Sequence, residues 1–134
     1  MRQINKLIIH HSGHKEYTLE TIRQLHVQEY KWEDIGYHYL IDQKGTVFRG
    51  RDVKSVGAHA LGYNQDSIGI CLIANLDKDK LTKEQEDALI KLCKELVEKY
   101  DFDSESILTH SQISEKYCPG KNFDLERIKS LIFN

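Results

Sequence analysis

The run Ile68-Gly-Ile-Cys-Leu-Ile-Ala74 constrains this chain more than any other segment. It is apolar on both faces, and a strand of that kind must be covered on both sides. That places it at the centre of a sheet with a layer packed on each face. The segment from Lys83 to Tyr100 can supply one layer. Ala88, Leu89, Leu92, Cys93, Leu96, Val97 and Tyr100 fall on one face at helical spacing. Thr82 and Gln85 read as a capping box at the start of this helix.

The remaining segments fit the same architecture. Lys6-Leu-Ile-Ile-His10 reads as a buried strand. A helix capped by Thr18 follows, with a stripe of Leu19, Ile22 and Leu25, and runs to about Lys31. Tyr37–Asp42 and Thr46–Arg49 read as strands joined by a hairpin turn at Gln43-Lys44-Gly45. Residues 50–67 form a Gly- and His-containing connection. Ser106–Thr109 reads as a last short strand, and Asp124 caps a final helix carrying Leu125, Ile128, Leu131 and Ile132. The expectation is one α/β domain over residues 1–134, a central mixed β-sheet flanked by helices.

At 134 residues the chain is long enough to bury a core of its own. Its net charge is −2 and no basic stripe runs through it, so no nucleic-acid partner is expected. No apolar run approaches the ~20 residues of a membrane span. Nor does a signal-peptide pattern precede the first strand. The expectation is a monomer made in the cytoplasm, with no membrane insertion. Three cysteines without dense spacing argue against a disulfide framework. Cys71 and Cys93 lie in apolar patterns and read as core. Cys118 lies in a polar loop beside Pro119 and Gly120.

A catalytic zinc site takes His nitrogens and Cys sulfur from three protein ligands and leaves one position open. His10 ends the first strand, His110 follows the last, and Cys118 stands eight residues further on. A sheet can bring these chain ends together. Strand alternation puts His10 on a face with Ile8, and His11 with Leu7 and Ile9. Parity alone does not choose between them. His11, His14 and His26 read as surface or helix-face residues, and Trp32 and Tyr39 as core.

Several blocks occur in order: Ile8-Ile-His-His-Ser12, Asp34-Ile-Gly-Tyr-His-Tyr39, Gly57-Ala-His-Ala-Leu-Gly-Tyr-Asn64, Ser67-Ile-Gly-Ile70, and His110 followed by Lys116, Cys118 and Pro119. In these the chain resembles the type 2 N-acetylmuramoyl-L-alanine amidases, which include short phage lysozymes and the peptidoglycan recognition proteins. The resemblance runs from about Lys6 to the final helix. It implies the peptidoglycan recognition protein-like fold, Zn2+ as cofactor, and His10, His110 and Cys118 as ligands. It implies catalytic roles for Tyr37 and Lys116, and a place for His59 and Asn64 in the substrate groove. The substrate would be peptidoglycan or a muropeptide, cut between N-acetylmuramic acid and L-alanine.

The chemistry is consistent with those roles. Two neutral imidazoles and a thiolate leave zinc a net charge of about +1, enough to bring a bound water's pKa to about 7. Lys116 would stabilise the developing oxyanion, and Tyr37 would orient water or relay a proton.

Other readings compete with these. Tyr37 would merely pack on the sheet, Lys116 would be a loop charge, and His59 and Asn64 would stabilise their own turn. At the level of the whole protein, the alternatives are a non-catalytic peptidoglycan-binding module, a cysteine hydrolase with Cys118 as nucleophile and His110 as base, and a structural zinc site completed by His11 or His59. The setting is left open between a phage or prophage endolysin, a cytosolic muropeptide-recycling amidase and a bacterial toxin.

Overall fold

In a computed structural model of the chain, residues 2–114 and 118–133 are described. Five strands form one mixed sheet: β1 (Lys6–His11), β2 (Tyr39–Ile41), β3 (Val47–Arg49), β4 (Ser67–Leu72) and β5 (Ile107–Thr109). Their order is β3-β2-β4-β1-β5, with β3 antiparallel at one edge and the other neighbours parallel. The doubly apolar run does lie in the middle. Every residue of β4 is buried, with β1 on one side and β2 on the other.

Among the described residues, three α-helices flank the sheet: α1 (Leu19–Gln24), α2 (Lys83–Tyr100) and α3 (Leu125–Ile132). Helices α2 and α3 cover one face. There Leu89, Leu92, Cys93, Leu96, Ile128 and Ile132 pack with Leu7, Ile9, Ile68, Ile70 and Leu72. The other face carries a smaller apolar cluster around Ile22, Ile35, Leu40, Cys71 and Ile73. Cys71 and Cys93 are both buried core thiols.

The ends of α2 follow from its sequence. Thr82 accepts a hydrogen bond from the Gln85 amide, and Asp101, in the left-handed region, closes the far end. Only half of the expected capping box forms. The buried Gln85 side chain instead donates to the carbonyls of Ile41 and Ile73, tying α2 to the sheet. Helix α1 ends earlier than its hydrophobic stripe suggests. The chain continues as a π-helical turn over Leu25–Glu29, and Lys31 then reverses it with φ 61. The hairpin turn forms as expected: Asp42 accepts from the Lys44 and Thr46 amides, and Gly45 takes φ 83.

Candidate metal centre and its cleft

The floor of the site lies beyond the carboxyl ends of β1 and β5, where open α/β sheets gather functional side chains. Leu7 and Ile9 point into the α2/α3 core, so alternation turns His10 to the opposite face. His10 is buried there at 1% exposure. Strand β5 stops at Thr109, opposite Ile9, and His110 opens the following 3-10 turn, His110–Gln112. The rings of His10 and His110 are 4.6 Å apart between centroids. Cys118 returns to the same place: its carbonyl accepts from the Ser111 amide at 2.8 Å, and the His11 amide donates to its Sγ at 3.2 Å. One donor atom from each of His10, His110 and Cys118 lies within 4.8 Å of the other two. His11 is directed elsewhere, its Nδ1 accepting from the Leu76 amide.

Tyr37 stands beside this group, its ring centroid 5.2 Å from that of His10. Burial, and then the neighbouring Cys71 and Cys118 thiols, hold its phenol well above the usual tyrosine range. The hydroxyl is therefore a proton-bearing donor at neutral pH. His59 closes the other side. It is buried, its Nδ1 lies 2.9 Å from His10 Nε2, and burial pushes its pKa down to about 3. The Asn64 side-chain oxygen accepts from the His59 and Ala60 amides and holds the turn that presents His59. Lys116 falls outside the described residues.

His10, Tyr37, His59, His110 and Cys118 line a cleft of about 320 Å³, together with Ser12, Tyr17, Ile22, Leu25, His26, Tyr30 and Trp32. Trp32, expected in the core, is a partly exposed wall of this cleft, with Tyr30 5.1 Å away between ring centroids. Tyr39, half-buried, packs against the α2/α3 core as expected. His26, expected on a surface or helix face, is only 6% exposed, and its Nδ1 accepts from the Gly36 amide at 2.8 Å. The π-helical turn makes this possible by swinging the chain so that Trp32 N bonds back to His26 O. π-Helical turns recur at functional sites. The sequence did carry a signal for His26, which falls four residues after Ile22 on the buried stripe.

Arg51 and Arg2 also escaped the sequence reading. Arg51 donates to the carbonyls of Asp34, Ile35 and Val56, joining the segment before Tyr37 to the one before His59. Arg2 clamps Val53, Asn64 and Ser67 in the same way. Gly36 lets these two segments meet, since a Cβ there would run into the Ala58 carbonyl.

The comparisons with known proteins bear on what this arrangement is for. A family model described as N-acetylmuramoyl-L-alanine amidase matches residues 1–121. The chain belongs to the N-acetylmuramoyl-L-alanine amidase family. It is 42% identical over 111 residues to the endolysin of Escherichia phage T7, covering 79% of this chain and 70% of that one. The solved N-acetylmuramoyl-L-alanine amidase LysC from Clostridium intestinale URNW superposes with a TM-score of 0.91 at 33% identity, over 96% of this chain and 85% of that one. Wild-type Drosophila PGRP-LB superposes with a TM-score of 0.86 at 30% identity, over 100% of this chain and 85% of that one. The fold is that of the amidases and peptidoglycan recognition proteins. The chain is an amide hydrolase of this family. Among the described residues, no helix is long and apolar enough to cross a membrane.

Proposed function

We propose that this amidase is a zinc-dependent peptidoglycan hydrolase of the endolysin type, cutting between the lactyl group of N-acetylmuramic acid and L-alanine of the stem peptide. The observation that carries the reading is the convergence of His10, His110 and Cys118 at the floor of a cleft beside Tyr37. Two imidazoles and one thiolate from separate elements are a catalytic zinc donor set, with room for water as the fourth partner. Zinc, when bound, would polarise the amide carbonyl and lower the pKa of the attacking water.

The chain's own groups have distinct tasks. Tyr37 donates from its protonated hydroxyl toward the reacting amide, orienting it and assisting proton delivery to the departing amine. Lys116, matched by its motif, supplies positive charge to the developing oxyanion. Tyr30 and Trp32 offer aromatic faces for the sugar or peptide along the cleft wall. Water adds to the carbonyl carbon, the C–N bond breaks, and the amine leaves with a proton. The products are a lactyl carboxylate and a peptide with a free L-alanine amino terminus.

The endolysin setting is supported by the phage relative. Incubating zinc-loaded protein with purified sacculi and with soluble muropeptide tests the reading. New L-alanine amino termini are expected from both substrates. Binding to sacculi without release of such peptides would refute an amidase acting on the wall. Turnover of soluble muropeptide alone would point to recycling in place of lysis.

A further inference from the structure

The Ser67-Ile-Gly-Ile70 block has no part in the chemistry described so far, and the structure gives its first and third residues a purpose. Ser67 Oγ lies 2.6 Å from the Tyr63 carbonyl oxygen, which can only accept. The single serine hydroxyl proton is committed there. Ser67 Oγ must therefore accept from the second group it meets, His59 Nε2 at 3.2 Å. With its proton on Nε2, a neutral His59 presents Nδ1 as an acceptor. The nitrogen facing it at 2.9 Å is His10 Nε2, which must then carry a proton. Gly69, two residues on and on the same face of β4, makes room for the relay. A Cβ at that position would stand 2.5 Å from His59 Cγ.

We infer that Ser67 and His59 form a tautomer-setting relay that keeps the proton of His10 on Nε2 and turns the lone pair of His10 Nδ1 toward the metal. His59 is on this account a positioning residue that acts through His10. Metal-bound histidines usually hand their second N–H to a carboxylate, carbonyl or water. Here a neutral imidazole takes that place, so the relay orients the ligand without adding negative charge to the centre. Ser67, Gly69 and His59 then act as one device, which accounts for serine and glycine at alternate positions of a strand whose other residues are Ile68, Ile70, Cys71 and Leu72. The inference rests on the proposed metal reading, and its test can fail separately.

Two-bond 1H–15N correlation spectra of metal-free protein with labelled histidine report the tautomers directly, with no substitution needed. Both His10 and His59 are expected as Nε2–H forms. Zinc affinity, read by chelator competition, gives the second measure. His59→Leu, which removes the acceptor, is expected to weaken zinc binding about 10- to 100-fold. His59→Asn, whose side-chain oxygen can stand where Nδ1 did, is expected to restore most of that loss. A merely structural role for His59 would not separate Asn from Leu in this way. An Nδ1–H tautomer of His10 in the wild-type protein would overturn the inference. So would wild-type zinc affinity in His59→Leu, or an equal loss in His59→Asn. If the wild type binds zinc with the expected tautomers yet leaves peptidoglycan intact, the amidase proposal fails and the relay stands. Amide cleavage by a protein with the opposite tautomer would do the reverse.

Discussion

The two faces of β1 and β4 differ in what they ask of the same strands. Toward α2 and α3, Leu7, Ile9, Ile68, Ile70 and Leu72 pack in a large apolar cluster. Toward the cleft, His10, Gly69 and Cys71 alternate with them and meet His59 and Tyr37. One face supplies stability through burial. The other holds titratable groups in a buried setting, which costs stability unless each is hydrogen-bonded. The fold can carry the second face because the first is large and dry. Substitutions on the two faces should therefore separate: stability should change on one, turnover and pH response on the other.

The largest expected effect is on the cleft face. With Cys118 as the proposed thiolate ligand, Cys118→Ser would remove it and with it the metal's charge stabilisation. Several kcal/mol of lost transition-state stabilisation corresponds to a fall in kcat/KM on the order of 10³ or more. Thermal unfolding of the metal-free protein should barely move. If the serine variant keeps its activity, Cys118 is no ligand. The matching substitution on the other face is Leu89→Ala, at a fully buried position. It should cost about 2–5 kcal/mol in denaturant unfolding, with turnover per folded, zinc-loaded molecule unchanged. A large drop in that turnover would show that the faces are coupled.

Tyr37→Phe comes next. Removing one donor hydroxyl should lower kcat about 10²-fold and leave zinc affinity intact. A parallel fall in zinc content would mean that Tyr37 supports the ligands instead of the reaction.

The pH dependence of stability sharpens the contrast further. Burial, and then the Arg51 charge, push the His26 pKa down to about 4, and burial holds His38 at about 4 as well. In the unfolded chain both titrate near 6.5. Below that pH the unfolded chain takes up protons that the folded chain refuses. Stability is thus fully present above pH 6.5 and declines as pH falls toward 4. His26→Asn keeps an acceptor for the Gly36 amide and should flatten this decline in urea titrations at successive pH values. Leu89→Ala should lower the whole curve without changing its slope. An unaltered slope in His26→Asn would contradict the assignment. The smallest effect belongs to Thr82→Ala at the start of α2, about 1 kcal/mol of stability with no change in turnover.

The two faces also differed in how much of them the sequence disclosed. The dry face was readable because periodicity and capping both speak of it. Helix α2 begins and ends at Lys83 and Tyr100 as its stripe requires, and β4 is central because nothing polar interrupts the run from Ile68 to Ala74. The proposed ligand set was readable only in part. Alternation left His10 and His11 equivalent until the ordered motifs, and then the burial of Leu7 and Ile9 against α2 and α3, separated them. The cleft wall was the least legible. No local signal announces a π-helical turn, and Trp32 read as core; His26 read as surface although its spacing from Ile22 put it on the buried stripe. Gln85 read as a cap because its spacing from Thr82 fits one, while the carbonyls it serves, on Ile41 and Ile73, are distant in sequence. The arginine clamps Arg2 and Arg51 bind backbone carbonyls, which leave no mark on residue identity.

In the proposed function, His10, His110 and Cys118 hold one catalytic zinc. X-ray absorption at the zinc edge, on protein loaded with one equivalent of metal, tests it most directly. The expected shell is one sulfur at about 2.3 Å, two imidazole nitrogens at about 2.0–2.1 Å and one light oxygen neighbour, with the sulfur lost in Cys118→Ser. A shell with no sulfur, a sulfur that survives the substitution, or four protein ligands with no open position would contradict it.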